Sequence, residues 1–322
     1  MSQTLSIDGK ICAFTDGQTV LDVARAAGIH IPTLCHHPKT GIQATCRVCV
    51  VEIEKMRGLQ ASCALPAKAG MVVNTSNQAV RDARRMLVEL MLVNGQHNCM
   101  SCERSGACEL QTVAYEMGIE KPPYIADDTI EAADESSEMI VLDRRKCIKC
   151  NRCVTACNQV VVNGVLGLGK RGFATRVICD DDLKMGESSC VQCGECSQIC
   201  PVGAIIDKKS RGKGRCSDLS QVDTTCPYCG VGCQITLHVD KKANRVVRVT
   251  GREALPNNGM LCVKGRYGFE FHASPKRLTT PLMKKDGKQV PVSWEEALDY
   301  TAKRLSEITA KYGTDAFSAL GS

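Results

Sequence analysis

Two cysteine runs with the same spacing constrain this chain more than any other feature of its sequence. The pattern C-x2-C-x2-C-x3-C occurs twice between residues 147 and 200, and Pro201 follows the second copy. In such a run, three closely spaced thiolates bind three irons of a [4Fe-4S] cubane, and the fourth thiolate reaches the neighbouring cluster. The spacing therefore predicts two adjacent cubanes, one held by Cys147, Cys150, Cys153 and Cys200 and the other by Cys190, Cys193, Cys196 and Cys157.

Disulfides and zinc are the alternatives for these eight cysteines. Disulfide frameworks suit small secreted domains, and structural zinc usually binds two CxxC-type pairs, so neither matches a doubled four-cysteine run as well. Asn158 stands where a Pro usually follows the first run, which changes no ligand. We predict a two-cluster ferredoxin-like domain over residues 141–208. Its GxGxxG match at 167–172 runs into a strand-like segment rather than a helix, which indicates a turn and not a dinucleotide site.

Composition supports a protein that is held together largely by metal. The 322 residues allow two or three domains. They include 22 Cys but only one Trp, six Tyr and five Phe, so removing metal should unfold parts of the chain. The sequence shows no signal peptide and no apolar run of membrane length, which predicts a cytoplasmic protein without a membrane span. The formal charge of +6 counts ligating thiolates as neutral, so we infer no nucleic-acid partner.

Residues 1–78 have the pattern of a β-grasp domain. A hairpin around Asp8-Gly9 precedes a helix that begins at Thr19 or Asp16, and later strands are predicted at 47–53 and 71–74. Four cysteines stand where that fold keeps a loop, with spacings x10, x2 and x13, namely Cys35, Cys46, Cys49 and Cys63.

The phrases IPTLCHHP and TCRVCVVEI around these cysteines resemble the [2Fe-2S] domain of the large iron-sulfur subunit of complex I and of NAD-linked hydrogenases and formate dehydrogenases. The resemblance implies a [2Fe-2S] cluster on the four cysteines, with a zinc site as the alternative. His36 and His37 then shape the loop, because four thiolates already satisfy the cluster.

Residues 79–118 begin with an amphipathic helix at 79–93, whose basic residues are predicted to lie opposite its apolar face. The next segment, NGQHNCMSCERSGACELQ, offers Cys99, Cys102 and Cys108, and His97 is the nearest fourth donor. The segment resembles the motif of one His and three Cys in complex I and its hydrogenase relatives. In complex I the His is placed further ahead, where Gly95 stands in this chain, and the shorter spacing resembles the diaphorase small subunit of NAD-reducing hydrogenases. A purely structural His97 is the alternative.

Residues 226–322 form the last predicted domain. Cys226, Cys229, Cys233 and Cys262 could hold one more cubane, and CPYCGVGC and LCVKGRYG resemble the N-terminal [4Fe-4S] domain of molybdopterin oxidoreductases, formate dehydrogenases especially. The resemblance implies that Lys264 lies between cluster and pterin and assists electron passage; an ordinary exposed lysine is the alternative. A hairpin at 234–251, a helix from Ser293 to about Tyr312 and the start of a strand at 315–322 are also expected.

Two segments are predicted to be linkers. The first linker, residues 119–140, includes an acidic, solvated stretch. The second linker, residues 209–225, overlaps the polar, basic segment 207–215, whose composition suits a flexible tether.

Together these features predict an α+β multidomain iron-sulfur protein, in which nineteen cysteines and His97 hold one [2Fe-2S] and four [4Fe-4S] clusters. Cys12, Cys179 and Cys216 remain outside the clusters. Such a protein would be an electron-transfer subunit of a cytoplasmic NAD(P)-linked oxidoreductase complex. Its expected partners are an FMN- and NAD-binding flavoprotein of the diaphorase kind and a small [2Fe-2S] thioredoxin-like subunit, because the chain has no nucleotide-binding motif of its own.

Two alternatives concern the wider protein. The chain could be the N-terminal part of an NAD-dependent formate dehydrogenase α-subunit, or a subunit of an electron-bifurcating hydrogenase or transhydrogenase complex. In the molybdopterin family, several hundred further residues build the pterin pocket, so molybdopterin is not expected on residues 1–322.

Overall fold

The computed structural model describes residues 3–123 and 131–319. Strands β1 (Gln3–Ile7) and β2 (Lys10–Phe14) form the predicted hairpin, followed by helix α1 (Val20–Ala26) and strands β3 (Val50–Ile53), β4 (Gln60–Ala61) and β5 (Val72–Asn74). The sheet order is β2-β1-β5-β3-β4, with β1 and β5 parallel. Helix α1 begins at Thr19, which makes a reciprocal capping box with Asp22.

The core of this N-terminal unit is built from aliphatic side chains of both layers. Leu5, Ile7, Val20, Leu21 and Val73 are almost fully buried between sheet and helix. Each of these residues follows the period of its own element, so the sequence pattern directly encodes which face is buried.

Helix α2 (Gln78–Val93) has nearly the predicted bounds, but its buried face differs from the prediction. Arg84 is buried and donates two hydrogen bonds to the carbonyl of Val50, while Leu90 is exposed. A basic residue therefore lies inward, because a guanidinium can satisfy a free strand carbonyl. Helix α3 (Glu109–Glu116) then packs against α2.

The ferredoxin-like region contains two short two-stranded sheets. Strand β6 (Ile140–Leu142) pairs with β9 (Ile205–Asp207), and β7 (Leu166–Gly169) pairs with β8 (Arg176–Cys179). Helices α4 (Arg152–Thr155) and α5 (Glu195–Ile199) lie within the two cysteine runs and contain the third cysteine of each. One π-helical turn continues α4 over Ala156–Val160. The GxGxxG match forms the turn of the β7–β8 hairpin, as predicted.

Both predicted linkers are more ordered than expected. Within the first, Ser137 is fully buried, and Asp134 accepts a hydrogen bond from the amide of Met185; part of its acidic stretch, residues 127–130, lies outside the described residues. In the second, Lys209 donates to the carbonyl of Tyr267 over 2.9 Å, and the amide of Gly212 donates to the carboxylate of Glu103. The prediction of a flexible tether is wrong, because acceptors from distant segments bind both its main chain and a basic side chain.

The second predicted linker also supplies a strand to the next domain. Strand β10 (Ser220–Thr225) pairs with β11 (Gln234–Asp240), which pairs with β12 (Arg245–Gly251), so the predicted hairpin is part of a three-stranded sheet. Helix α6 (Val263–Tyr267) follows. The chain continues as the hairpin β13 (Leu282–Lys285) and β14 (Lys288–Pro291) and as helix α7 (Trp294–Tyr312), which is capped by Ser293 as predicted.

After α7, a short turn of 3-10 helix, Thr314–Ala316, occupies the start of the predicted final strand. Residues 320–322 lie outside the described part. In residues 3–123 and 131–319, the structure has no helix long and apolar enough to cross a membrane.

Candidate iron-sulfur sites

The four N-terminal cysteines come together from two stretches of the chain: Cys35, Cys46 and Cys49 lie between α1 and β3, and Cys63 follows β4. All four are buried, and the amide of Cys46 donates to the Sγ of Cys35 over 3.5 Å. A hydrogen bond from the Cys46 thiol lowers the pKa of Cys35, and one from the Cys63 thiol lowers the pKa of Cys49. The hydrogen bond to Cys49 raises the pKa of Cys63, and so do burial and the charges of Cys49, Cys35 and Cys46, so all four sulfurs share one site.

The two ferredoxin-like runs have the same backbone conformation. In the first run Lys149 and Asn151 are left-handed, with φ of 55° and 67°; in the second run Gln192 and Gly194 are, with φ of 55° and 77°. In each run, the left-handed residue two positions after the first cysteine points its amide toward the sulfur of that cysteine. The amide of Lys149 lies 3.4 Å from the Sγ of Cys147, and that of Gln192 lies at the same distance from Cys190.

The fourth cysteine of each run lies with the other run. Burial raises the pKa of Cys153 well above its usual value, and so do the charges of Cys150, Cys147 and Cys200. Burial likewise raises the pKa of Cys196, and the negative charges of Cys193, Cys190 and Cys157 raise it further. Cys147, Cys150, Cys153 and Cys200 also line one small cavity together with apolar side chains such as Leu142 and Ile205. The structure thus brings together the two crossed sets that the spacing predicts.

The third site contains Cys99, Cys102 and Cys108. Burial and the charge of Cys102 raise the pKa of Cys99, and burial raises that of Cys108 to about 11. The Nζ of Lys146 lies 3.8 Å from the Sγ of Cys102. His97 lies at the edge of this segment, and its Nε2 is 3.2 Å from the carbonyl of Met91. Because a carbonyl only accepts, Nε2 carries the proton and Nδ1 keeps the lone pair that a metal would need.

The C-terminal cysteines surround the start of α6. The amide of Cys226 donates to the carbonyl of Cys233, and the amide of Gly265 lies 3.5 Å from the Sγ of Cys262. Burial raises the pKa of Cys233, as do the charges of Cys226, Cys229 and Cys262. Cys229 and Cys262 are exposed, so this site is the most open of the five. Lys264, two residues after Cys262, is exposed.

The donor sets suit iron-sulfur clusters on chemical grounds. Buried thiols with raised pKa values, such as Cys108 and Cys147, stay protonated at neutral pH unless the positive charge of bound iron displaces the proton. Cys35 and Cys49, whose pKa values are lowered, offer thiolates to a metal directly. Within the described residues, no three His, Cys, Asp or Glu side chains converge closely enough for a single metal ion. A cluster does not require such convergence, because its thiolates bind different irons.

Two of the three remaining cysteines pack among apolar side chains, and the third, Cys216, has a polar contact. Cys12 and Cys179 are buried in strands β2 and β8, as predicted. Cys216 is buried beside Arg248, whose Nη2 donates to its Sγ over 3.3 Å.

Sequence reasoning missed two buried arginines that cross between sites. Arg152 is 2% exposed and binds Glu109 and the carbonyl of His36, while Arg266 is 1% exposed and donates to the carbonyl of Cys193 over 2.9 Å. Both stand within four residues of a predicted ligand. That adjacency was the only available signal, because neither the partners nor the burial of an arginine can be read from local sequence.

Gly194 accommodates Arg266 at the second run. Its φ is +77°, and a Cβ there would collide with the side chains of Arg266 and Tyr267. We therefore expect Gly194→Ala to lower the stability of the holoprotein, because strain of about 1 kcal/mol adds to overpacking of about 1–3 kcal/mol. The midpoint of thermal unfolding, followed by cluster absorbance, measures this effect. Gly164→Ala is the matched control, since its φ is +71° but a Cβ added there would meet no atom within 4 Å beyond its chain neighbours. Equal unfolding midpoints for both variants would contradict the expectation.

Comparison with protein families gives the same order of sites along the chain. The matching family models are the 2Fe-2S iron-sulfur cluster binding domain (residues 2–78), the NADH-ubiquinone oxidoreductase-G iron-sulfur binding region (84–123) and the 4Fe-4S dicluster domain (146–204). They are followed by the molybdopterin oxidoreductase Fe4S4 domain (219–274) and the molybdopterin oxidoreductase model (277–322).

Among solved structures, the NAD+-reducing [NiFe]-hydrogenase in the H2-reduced state is similar with a TM-score of 0.61 and 37% identity. The match covers 65% of this chain and 88% of the hydrogenase chain. The chain belongs to the family of iron-sulfur subunits of NAD(P)-linked oxidoreductases. Membership establishes a multidomain protein with a [2Fe-2S] domain and [4Fe-4S] domains.

Longer members of this family align with nearly the whole chain. A subunit of NADH-quinone oxidoreductase from Rhizobium meliloti is 36% identical over 95% of this chain, and the NADPH-Fe(3+) oxidoreductase subunit alpha of Geobacter sulfurreducens is 35% identical over 99%. The chain spans only 36% and 37% of these two relatives.

Proposed function

We propose that the chain is an electron-transfer subunit that relays single electrons between a flavin- and NAD(P)-binding partner and a second redox site near Cys226 and Cys262. The observation that carries the proposal is that hydrogen bonds join segments beside neighbouring cysteine sites. Thr45, next to Cys46, donates to the carbonyl of Cys150 over 3.4 Å, and Arg266, near Cys262, donates to that of Cys193. Clusters held by such neighbouring segments would form a row of closely spaced redox centres, which carries electrons over distances that one centre cannot span.

The proposed cofactors are one [2Fe-2S] and four [4Fe-4S] clusters. When bound, they would accept and release one electron at a time. The chain's own residues would set the order of the sites, exclude water from the buried thiolates and supply nearby cations, such as Lys146 beside Cys102. We further propose that residues 1–78 form a β-grasp domain, that Lys264 assists electron passage from the terminal cubane, and that the protein is cytoplasmic.

The partners follow from this function and from the relatives. Subunits of NADH-quinone oxidoreductase and NAD+-reducing hydrogenase are similar to this chain. We propose an FMN-binding diaphorase-like subunit at the N-terminal end, with a small [2Fe-2S] thioredoxin-like subunit beside it.

A second candidate is the front part of a molybdopterin oxidoreductase such as formate dehydrogenase. The two molybdopterin family models, which match residues 219–274 and 277–322, favour it. In that case electrons would come from formate oxidation at a pterin site that lies outside these residues.

Metal analysis after anaerobic purification tests the proposal. One [2Fe-2S] cluster and four cubanes give about eighteen irons per chain, with flavin on a co-purifying subunit. Zinc in place of iron would contradict the proposal. Stoichiometric molybdenum or tungsten in the complex would favour the formate dehydrogenase candidate.

His97 provides a separate test of the third site. If its Nδ1 binds iron, His97→Ala should change the electron paramagnetic resonance (EPR) spectrum and the potential of one cubane, because imidazole and its replacement differ in charge and donor strength. His272→Ala is a suitable control, since His272 contacts only its own turn through the carbonyl of Phe269. An unchanged third-site spectrum in His97→Ala would make His97 structural.

A further inference from the structure

Arg152 occupies an unusual position at the junction of three predicted cluster sites. Its guanidinium is buried, with Nη1 and Nη2 lying 2.6 and 2.7 Å from the two carboxylate oxygens of Glu109. Nη2 also donates to the carbonyl of His36 over 2.9 Å. One side chain therefore holds two segments that are 43 and 116 residues away along the sequence.

Each end of this junction is directly bonded to a predicted iron ligand. His36 follows Cys35 of the [2Fe-2S] site, Glu109 follows Cys108 of the third site, and Arg152 itself precedes Cys153 of the first ferredoxin-like cubane. A path of covalent bonds and hydrogen bonds thus runs from the [2Fe-2S] site, and another from the third site, through the guanidinium of Arg152 to the first ferredoxin-like cubane. By comparison, the buried Arg266 connects two of the predicted sites, through the carbonyl of Cys193.

The surrounding contacts hold the junction rigid. Gln43 accepts hydrogen bonds from both Asn151 and Thr155, each over 3.0 Å, on either side of Arg152. Thr45 adds its bond to the carbonyl of Cys150. The loop of the [2Fe-2S] site is therefore clamped to helix α4, and the guanidinium has little freedom to leave its position.

We propose that Arg152 is a positioning residue that couples the [2Fe-2S] site and the third cubane site to the first ferredoxin-like cubane, making this cubane the point where two electron routes join. The inference rests on the proposed electron-transfer function and deepens it.

Arginine is required at this position for two physical reasons. Its planar fork reaches a carboxylate with two bonds and a carbonyl with a third, whereas a lysine has a single ammonium and cannot span the same partners. Its buried positive charge also favours the reduced, more negative state of a cluster near Cys153. Charge and connection can therefore be separated by substitution.

The test uses the holoprotein with Arg152→Lys, which keeps the charge but not the fork, and Arg152→Gln, which loses both. Potentials come from EPR-monitored redox titration, and the rate of electron transfer between sites from rapid freeze-quench after reduction. We expect both variants to slow transfer from the [2Fe-2S] site about tenfold. Only Arg152→Gln should lower the potential of the first cubane. We expect the ratio of its reduced to its oxidised form to fall tenfold at a given solution potential, which corresponds to about 59 mV for one electron.

Arg144→Gln is the matched control. Arg144 also lies near a predicted ligand, Cys147, and donates to a main-chain carbonyl, that of Val177, but Val177 lies in β8 and is adjacent to no predicted ligand. Its transfer rates should equal those of the unaltered protein. If the Arg152 variants retain their iron and show unchanged rates and potentials, Arg152 is only structural and the proposal is overturned.

A third variant covers the case in which both Arg152 substitutions lose iron. Glu109→Gln leaves Arg152 bonded to His36 and removes a negative charge next to the third site. It should slow electron transfer between the third cubane and the first ferredoxin-like cubane and leave transfer from the [2Fe-2S] site unchanged; unchanged transfer from the third cubane would overturn the proposal. Failure of the electron-transfer function itself would be recognised separately, as missing iron in the unaltered protein.

Discussion

Removal of iron should unfold the ferredoxin-like and C-terminal regions while the N-terminal sheet stays folded. In the ferredoxin-like core, the thiols of Cys150, Cys153, Cys157, Cys196 and Cys200 take the place that large side chains occupy in other proteins. Without iron, these thiols lose the bonds that tie the two runs together. The N-terminal core keeps Leu5, Phe14, Val20 and Leu21 packed whether or not metal is present.

Hydrogen exchange on anaerobic holoprotein and on chelated protein measures this difference. Amides of β6, β9 and the β10–β12 sheet should lose protection by several orders of magnitude, while those of β1 and β2 should change little. Equal protection of both regions after complete iron removal would show that the thiol-rich core is stable without clusters.

Iron rebinding should also depend on pH. Burial raises the pKa of Cys147 to about 11, and burial also raises that of Cys153. In the unfolded apoprotein these thiols are also mostly protonated at neutral pH, because the ordinary pKa of a cysteine is about 8.5. Each thiol must therefore release its proton when iron binds and the region folds. Affinity for iron should rise with pH until these thiols ionise.

The second large effect concerns the crossed fourth ligands. Cys200→Ser should impair the cubane of the first run, whose other predicted ligands are Cys147, Cys150 and Cys153, rather than the cubane of its own run. Cys157→Ser should impair the other cubane. The expected result is the loss of about four irons in each variant, with different EPR signals missing.

Cys179→Ser is the matched control, because Cys179 is equally buried in the same region but belongs to neither set. It should retain all clusters. If Cys200→Ser and Cys190→Ser removed the same signal, each run would hold its own cluster and the crossed assignment would be wrong.

The sequence was informative where the determining contacts are local. The spacing of each cysteine run fixes which sulfurs can approach one cluster, and the capping residues Thr19 and Ser293 mark where α1 and α7 begin. The caps and the three closely spaced cysteines of each run are signals of twelve residues or fewer. The crossed fourth ligand also needed the second copy of the run.

The sequence was uninformative where main-chain groups from distant segments determine which side chains are buried. Arg84, Arg152 and Arg266 are charged residues that would ordinarily be expected at the surface, yet each is buried against a carbonyl from another segment. The basic segment after Asp207 failed as a predicted tether for the same reason. Periodicity and composition carry no information about which carbonyls a folded chain leaves free.

Strand β10 has a practical consequence for dissecting this protein. A recombinant fragment that starts at Cys226, the boundary suggested by the cysteine pattern, would lack the strand that covers one edge of β11. The unpaired edge could then pair with another copy and promote aggregation. A fragment that starts before Cys216 would keep both this strand and the buried contact between Cys216 and Arg248.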